Sequence, residues 1–346
     1  MLSKGFKIVS PKTFEVDIES IDIKEEEAIV KIDYIAICKA DLRYYLGNRD
    51  KRVLGLKYPM RLIHEAVGTV LKDDSNKFSV GDKVILVPNI CKCSKCDFKY
   101  VNDKSLGENY CPKAKFASSN YDGFSSECIS YPVKNLIKYN SDIKGSIAVF
   151  SELISVAVAA IRRVSSLDNK IIGIWGDGIL GYILAHVIKI MAKDSKVICI
   201  GKNRKKLERF RVDNTYLIDD KKLNEINFDL LFECVGGSYS GNAINQMIEC
   251  AKFGADIILT GVSEEGALIN TRRILEKAVR ITGTTRSTID DFEKASEMLN
   301  SNQLIKALNE LVLSINNVDG IAEYYKVFEM ESVNTTLGKH IIKLNL

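Results

Sequence analysis

A glycine-rich turn between an apolar strand and an apolar helix constrains the fold of this chain more than any other feature. It follows the continuous apolar run 170–175 and opens an apolar helix at 179–191. The turn has the spacing Gly-x-Gly-x-x-Gly, and its residues include Gly176, Gly178, Ile179, Leu180 and Gly181. In this context the glycines permit a tight turn and let the backbone approach a pyrophosphate at the helix N-terminus. The pattern predicts a dinucleotide-binding Rossmann domain rather than an incidental glycine turn.

The rest of the chain shows two kinds of sequence pattern. Strand-like runs follow the turn at spacings that leave room for helices, at 196–200, 230–234, 256–260 and 280–283. Strands alternating with helices predict a parallel, doubly wound sheet. Before residue 145, short alternating apolar segments between turn residues predict a β-rich domain. The strand-like run 339–344 lies too far along the chain to continue the alternation, so we expect the α/β domain to be inserted in a β-rich domain built from both chain ends.

The residue that follows the second sheet strand bears on the choice of nicotinamide cofactor. An acidic residue about 20 positions after the glycine turn would bind the 2′-hydroxyl of NAD. This chain has Gly201 there, followed by Lys202 and Arg204. A carboxylate would repel a 2′-phosphate, whereas the two cations would attract one. We predict NADP(H); the alternative is a solvated basic helix start.

Charge and hydropathy exclude several partners. The 49 basic and 45 acidic residues are mixed along the chain and give a net charge of +4, which argues against a dedicated nucleic-acid binder. No window is apolar enough for a membrane span, and the N-terminus lacks a signal-peptide pattern. We therefore expect a cytoplasmic protein that uses its cysteines as thiols or metal ligands.

Four separate residues form a candidate metal site. Cys38 follows a strand, His64 and Glu65 open another, and Glu152 begins a long apolar helix. Individually they fit a core cysteine, a satisfied histidine and a glutamate at a helix start. Together they supply one thiolate, one imidazole and two carboxylates, which suits a tetrahedral Zn²⁺ ion.

A second set consists of Cys91, Cys93, Cys96 and Cys111. Four thiolates make a closed zinc site that has no open position for chemistry. We expect a structural zinc ion here, with reduced, metal-free cysteines as the alternative.

These motifs together resemble the medium-chain zinc alcohol and polyol dehydrogenase family over essentially the whole chain. The resemblance implies a GroES-like catalytic domain, residues 1–148 and 287–346, with an inserted Rossmann domain, residues 149–286. Glu152 resembles the polyol-dehydrogenase branch. The stretches 38–45, 62–65, 173–178, 232–237, 243–248 and 261–264 resemble the subfamily of ribulose-5-phosphate reductases of teichoic-acid and capsule synthesis.

The resemblance implies NADPH-linked reduction of ribulose 5-phosphate to ribitol 5-phosphate. The product would feed a cytidylyltransferase that makes CDP-ribitol. Zinc would polarise the C2 ketone as a Lewis acid, held by Cys38 and His64 with Glu65 or Glu152 as the further ligand. Members of this family are typically homodimers, so the resemblance implies a homodimer. The apolar run 256–260 is a candidate for edge-to-edge strand pairing between the two copies.

Two departures from the family pattern leave questions open. Most zinc alcohol dehydrogenases have Ser or Thr two residues after the first cysteine, where this chain has Ala40. The proton for the new alcohol therefore comes from Tyr44, a zinc-bound water, Glu152 or a substrate hydroxyl. The cysteine set also differs from the usual family spacing, chiefly in the long gap before Cys111.

The substrate phosphate needs a cationic partner. Arg43 lies five residues after Cys38 and Arg286 lies just past the last predicted sheet strand, and a guanidinium can bind a phosphate in bidentate fashion. The alternative is that both are solvated surface cations. The competing functions are a polyol dehydrogenase acting on unphosphorylated sugar alcohols and a non-enzymatic dinucleotide-binding regulator.

Overall fold

The computed structural model describes residues 1–91, 93 and 106–346, and these form two units. The first unit combines both chain ends, Met1–Ser155 and Ser287–Leu346. The second unit is the intervening segment Val156–Arg286. The first is β-rich and the second is a parallel α/β unit, which confirms the predicted fold class.

Strands account for most of the first unit and for the centre of the second. They are β1 (Leu2–Ser10), β2 (Thr13–Ser20), β3 (Glu27–Ala36), β4 (Met60–Arg61), β5 (Glu65–Asp73), β6 (Lys83–Leu86), β7 (Asn89–Ile90), β8 (Lys115–Phe116), β9 (Cys128–Pro132), β10 (Leu136–Lys138), β11 (Ile171–Trp175), β12 (Lys196–Gly201), β13 (Asn214–Leu217), β14 (Phe228–Glu233), β15 (Ala251–Leu259), β16 (Arg280–Gly283), β17 (Val312–Val318) and β18 (Lys339–Leu344).

Several helices begin where the sequence supplies a capping side chain. Thr288, for example, accepts a hydrogen bond from the Asp291 N–H at the start of α9, which satisfies a backbone donor that the helix leaves unpaired. The helices are α1 (Lys39–Tyr45), α2 (Lys51–Lys57), α3 (Gly145–Ala148), α4 (Ser151–Ile161), α5 (Ile179–Met191), α6 (Arg204–Leu207), α7 (Ser240–Cys250), α8 (Thr271–Lys277), α9 (Ile289–Met298), α10 (Asn302–Leu311) and α11 (Ile321–Ser332).

The first unit is built around a mixed sheet with the order β10-β6-β5-β3-β18-β17, in which β9 also pairs with β3. Strand β18, from the C-terminal end of the chain, lies directly beside β3. The unit's core is apolar and rich in aromatic rings; Phe14 packs against Tyr45, Tyr324 and Phe328 with ring centroids 4.9–5.4 Å apart. Burial of such side chains contributes about 1.5–3 kcal/mol each.

The second unit contains a six-stranded parallel sheet with the order β13-β12-β11-β14-β15-β16. The order reverses between β11 and β14, and in such sheets ligands bind beyond the carboxyl ends of the strands at this reversal. Trp175 and Phe228 pack in its core, with ring centroids 5.2 Å apart. Strand β15, which contains residues 256–259 of the predicted run, lies between β14 and β16, so the expectation of edge-to-edge pairing there is wrong. The outer strands of this sheet are β13 and β16.

Across the described part of the chain, every helix is too short or too polar to cross a lipid bilayer.

Candidate active site

Three neighbouring strands bring distant parts of the sequence to one place. Ala36 at the end of β3 pairs with Glu65 at the start of β5, and Ile341 of β18 pairs with Ala36 from the other side. Cys38 lies two residues beyond Ala36, and Lys339 lies two residues before Ile341. Because both pairings are antiparallel, Cys38, Glu65 and Lys339 come to the same end of the sheet.

A thiol, an imidazole and a carboxylate meet at this end. Cys38 Sγ, a ring nitrogen of His64 and a carboxylate oxygen of Glu65 lie within 4.8 Å of one another. His64 and Glu65 are buried and Cys38 is half-buried. This donor set and spacing fit the N, S and O ligands of a tetrahedral zinc ion. We call these three residues the mixed cluster.

Asp41 connects the backbone around the mixed cluster. Its buried carboxylate accepts hydrogen bonds from the Cys38 N–H (2.9 Å), the Ile63 N–H (3.1 Å) and the Ser118 hydroxyl (2.5 Å). His64 Nδ1 lies 3.6 Å from the same carboxylate, which leaves Nε2 as the nitrogen for a metal. Burial alone would raise the pKa of Asp41, but attraction to His64 and these hydrogen bonds lower it.

The neighbouring charges also change the pKa of the His64 imidazole. Burial would lower the pKa of His64, but attraction and hydrogen bonding to Asp41, with a smaller contribution from Cys38, raise it well above its ordinary value. A metal ion would bind the neutral ring and displace its proton.

The residue before His64 has an unusual backbone conformation. Ile63 has φ of 73°, a left-handed value that β-branched residues rarely adopt. Its N–H donates to Asp41, and its carbonyl accepts the Phe124 N–H at 2.8 Å. These two hydrogen bonds hold a strained residue beside a candidate metal ligand, a type of strain that clusters at functional sites.

Lys339 forms a buried ion pair with Glu65. Its ammonium lies 2.5 and 2.6 Å from the two carboxylate oxygens. Burial would lower the pKa of Lys339, but attraction to Glu65 and Cys38 raises it. The ammonium therefore stays charged and compensates a fully buried carboxylate.

Glu152 lies in the first turn of α4 and is also buried. Burial raises the pKa of Glu152 to about 7, with His64 opposing the rise and Glu65 adding to it. The carboxyl group is thus close enough to the mixed cluster to be coupled to it electrostatically, although it lies outside the 4.8 Å group.

The remaining candidates of the first unit lie on or after α1. Tyr44 is buried in the core, its ring 4.3 Å from the Arg49 guanidinium and its carbonyl accepting the Tyr58 hydroxyl. Arg43, in the last turn of α1, is half-buried.

A second group of donors consists of three thiols. Cys91, Cys93 and Cys111 have their sulfurs within 4.8 Å of one another, with Cys93 and Cys111 3.8 Å apart. Cys96 lies outside the described residues. Thiols at this spacing fit the sulfur ligands of a structural zinc ion. We call these three residues the sulfur cluster.

The glycine turn has the close approaches that its pattern predicts. Gly176 has φ of 131°, and a Cβ there would lie 2.6 Å from the Cys234 carbonyl oxygen. A Cβ at Gly181 would lie 2.2 Å from the Gly176 carbonyl oxygen. Gly178 precedes α5, which begins with Ile179 and Leu180. A side chain at Gly181 would push the turn and helix apart, and one at Gly176 would push the turn away from the residue that follows β14.

The predicted 2′-phosphate residues follow β12. Gly201 is its last residue and is buried, whereas Lys202 and Arg204 are exposed. The Lys202 ammonium lies 3.2 Å from the centroid of the Tyr239 ring. Arg286, the last residue of the second unit, is half-buried, has φ of 58°, and has its pKa lowered by burial.

Sequence reasoning missed Asp41, Ser118 and Lys339. Asp41 had a local signal, since an acidic residue three positions after a helix-capping position is a capping-box pattern. Lys339 is 274 positions from Glu65, and its partner is defined by strand order alone.

Comparison with known proteins places these features in a family. Residues 24–141 match the alcohol dehydrogenase GroES-like domain, and residues 180–301 match the zinc-binding dehydrogenase domain. Ribulose-5-phosphate reductase 1 of Staphylococcus aureus is 37% identical, over 99% of this chain and 99% of that protein. Ribulose-5-phosphate reductase of Bacillus spizizenii is 34% identical over the same shares. The crystal structure of S. aureus TarJ in complex with NADPH matches with a TM-score of 0.87 and 33% identity, covering 100% of both chains.

Proposed function

The chain belongs to the zinc-binding alcohol dehydrogenase family, and we propose that it reduces ribulose 5-phosphate to ribitol 5-phosphate with NADPH and zinc. The observation that carries this proposal is similarity to ribulose-5-phosphate reductases over the full length of the chain. The mixed cluster and the glycine turn supply the two binding functions that such a reduction needs. A regulator would need the dinucleotide site without a metal-ligand cluster.

Cys38, His64 and Glu65 hold the zinc ion in this proposal. Zinc supplies Lewis-acid polarisation of a carbonyl when it is bound. The geometry supports Glu65 over Glu152 as the third ligand, because a Glu65 oxygen belongs to the 4.8 Å group. Lys339 then acts as the hydrogen-bonded partner that orients a ligating carboxylate.

Glu152 is our candidate for the proton donor to the new alcohol. Ala40 has no proton to give, whereas burial raises the pKa of the Glu152 carboxyl to about 7 in the metal-free protein. General acids work best when their pKa lies near the working pH. Burial beside the cluster therefore supports Glu152 ahead of Tyr44, whose ring packs in the core.

The glycine turn of the second unit and the start of α5 would hold the nucleotide through its pyrophosphate. Lys202 and Arg204 bind the 2′-phosphate, which NADH lacks. The nucleotide would supply the hydride for reduction of the ketone, and the glycine turn would serve to hold that donor in a fixed position.

Arg43 and Arg286 are the candidate partners of the substrate phosphate. Arg43 is on the helix that Cys38 opens, so the metal ligand and this guanidinium are held by one rigid element. Burial disfavours the charged state of Arg286, and a phosphate ligand would compensate for this.

Three further expectations belong to this proposal. We expect a homodimer, in which the outer strand β16 is a candidate for pairing between copies, and light scattering measures this directly. We expect a cytoplasmic enzyme, because NADPH and free thiols are typical of that compartment. The product is a sugar-alcohol phosphate that a cytidylyltransferase would convert to CDP-ribitol.

The test compares substrates under identical conditions. Zinc-loaded protein is assayed with NADPH against ribulose 5-phosphate, ribulose and, in the oxidative direction with NADP⁺, sorbitol. We expect kcat/KM for the phosphate ester to exceed that for ribulose by about 100-fold or more, since a lost arginine–phosphate contact costs several kcal/mol. Equal rates with ribulose, or faster oxidation of sorbitol, would replace the proposal with polyol dehydrogenation.

The variant Arg43→Ala separates a phosphate clamp from a structural role. It should lower kcat/KM for ribulose 5-phosphate by about 100-fold and leave the slow reaction with ribulose nearly unchanged. Arg272→Ala, which removes an exposed arginine on α8, is the matched control. A loss shared by both substrates would assign Arg43 to folding or metal binding.

A further inference from the structure

A carboxylate joins the two turns that bind the cofactor in the proposed function. Asp177 lies between the first two glycines of the glycine turn. Its Oδ2 accepts hydrogen bonds from the Lys202 and Asn203 N–H groups, both at 2.7 Å. The turn after β11 is therefore tied to the turn after β12 within the second unit.

The absence of a side chain at Gly201 leaves room for this carboxylate. A Cβ at position 201 would lie 2.6 Å from Asp177 Cβ, 2.7 Å from its Oδ2 and 2.9 Å from its Cγ. A Cβ atom in a protein essentially never approaches another heavy atom so closely, so a side chain at 201 and the present position of Asp177 exclude each other. The glycine that replaces an acidic residue at the end of β12 thus has a second role, because it makes room for a carboxylate from the neighbouring turn.

The same arrangement recurs one strand further along the sheet. Glu233, the last residue of β14, accepts hydrogen bonds from the N–H groups of Val235 (2.9 Å), Gly236 (2.7 Å) and Gly261 (2.9 Å). A Cβ at Gly261 would lie 2.5 Å from both Glu233 carboxylate oxygens. In both places a carboxylate bonded to the backbone faces a glycine at the carboxyl edge of the sheet, where this fold binds ligands.

The turn that Asp177 holds carries the cations predicted to recognise NADPH. Lys202, Arg204, Lys205 and Lys206 all follow Gly201 within five residues. The two N–H groups that would otherwise be open to a phosphate already have Asp177 as their acceptor. Recognition of a 2′-phosphate therefore falls to side chains, whose positions depend on the backbone of this turn.

We propose that Asp177 is a positioning residue for the 2′-phosphate site and that Asp177 and Gly201 together set the preference for NADPH over NADH. Asp177 fixes the Lys202–Asn203 backbone, and Gly201 permits it to do so. The proposal rests on the cofactor site of the proposed function and deepens it. An acidic residue placed at 201 alone would displace Asp177, so it would weaken NADPH binding through the lost position of this turn as well as through charge repulsion.

The test measures the Kd values of NADPH and NADH by fluorescence titration of the full-length, zinc-loaded protein. Asp177→Ala should weaken NADPH binding by about tenfold, because charge-assisted hydrogen bonds that hold the turn are lost. NADH binding should change by less than about threefold, since NADH makes no contact with a 2′-phosphate site. Asp177→Asn keeps an amide oxygen that can accept both N–H groups, so it should remain within about threefold of the unaltered protein.

Gly201→Ala provides the second arm. It should reproduce the Asp177→Ala effect in the unaltered protein and add little in the Asp177→Ala background, where the obstructing carboxylate is gone. If the double variant lost NADPH affinity by the product of the two single losses, the coupling between Asp177 and Gly201 would be overturned. Equal loss of NADPH and NADH in Asp177→Ala, or a loss in Asp177→Asn as large as in Asp177→Ala, would overturn the positioning role.

Asp229→Ala is the matched control, because Asp229 accepts the Ile171 N–H at the opposite, amino end of the same sheet. It should lower stability without changing either Kd. The titration contains no sugar phosphate, so a protein that binds NADPH tightly but fails to reduce ribulose 5-phosphate would refute the proposed function alone.

Discussion

The mixed cluster and the sulfur cluster both lie in the first unit, yet the sequence assembles them in different ways. Cys38, His64 and Glu65 come from the ends of two paired strands, and Lys339 joins them from a third strand near the C-terminus. The sulfur cluster comes from the short stretch that runs from Cys91 to Cys111.

Their surroundings differ as well. The mixed cluster is bordered by the buried residues Asp41, Lys339 and Glu152. Asp41 raises the pKa of His64, and Lys339 lowers the pKa of Glu65 against the opposing effect of burial. The described contacts of the sulfur cluster include a hydrogen bond from the Lys134 ammonium to the Cys91 carbonyl. A site tuned by ionisable neighbours is suited to chemistry, whereas a set of thiols that bridges nearby loops is suited to holding the chain.

The largest expected effect of that difference is on turnover. Cys38→Ala removes the thiolate of the mixed cluster, and kcat for ribulose 5-phosphate should fall by at least about three orders of magnitude, since metal polarisation is worth several kcal/mol. Zinc in the sulfur cluster should remain, as measured by metal content per chain. Cys128→Ala, which alters a buried cysteine outside both clusters, is the control. A turnover within tenfold of normal would remove Cys38 from the site.

The second effect is on folding. Lys339→Met leaves Glu65 buried without its cation, which should lower the free energy of unfolding by about 3–5 kcal/mol in zinc-free protein. Bound zinc can replace the missing positive charge, so the loss should be smaller when the metal is present. Urea unfolding with and without zinc measures both values. Lys339→Arg should keep most of the stability; an equal loss with and without zinc would separate Glu65 from the metal.

Sequence reasoning could predict many of the strands and helices, but not side-chain partners such as the pair Lys339–Glu65. The parallel sheet could be predicted because its strands are long apolar runs that alternate with helices, and residues 280–283 and 179–191 appear as a strand and a helix with those bounds. Short β13 was missed, because a run of four residues with two exposed positions has little periodicity to detect.

For the candidate site as well, residue types could be predicted from the sequence, whereas contacts between distant segments could not. Cys38, His64 and Glu65 could be proposed together because their residue types suit zinc, and the antiparallel register then places them within reach. Asp177 stood within a recognised motif, but its bond to the next turn depends on backbone geometry that Gly-x-Gly-x-x-Gly does not specify. Pairings between distant segments depend on strand order, which a single sequence does not fix.

The third prediction is a loss of thermal stability that leaves kcat nearly unchanged. Cys111→Ala should lower Tm by on the order of 5 °C, because a structural metal site contributes directly to folding free energy. Below the transition, kcat should stay within about twofold of normal, since the mixed cluster is intact. Thermal scans and rates at a temperature below both transitions measure this. A kcat loss as large as that of Cys38→Ala would mean that the two clusters do not have separate roles.

The smallest expected effect tests whether the partners of the mixed cluster tune it. Ser118→Ala removes the buried hydroxyl that donates to Asp41, while the Cys38 and Ile63 N–H groups still hold that carboxylate. One lost hydrogen bond to a charged group is worth about 1.5 kcal/mol, and since it reaches zinc indirectly, metal affinity should fall by about three- to tenfold.

Competition with a chelator measures that affinity at each cluster in turn. The sulfur cluster should release its metal at the same chelator concentration in Ser118→Ala as in the unaltered protein. Ser126→Ala, which removes a buried serine hydroxyl that donates to the Cys128 carbonyl, is the control for general loosening of the unit. If Ser118→Ala weakened both clusters alike, Asp41 would be a structural brace for the whole unit, since a tuning contact acts on the metal site that it touches and leaves a separate one unchanged.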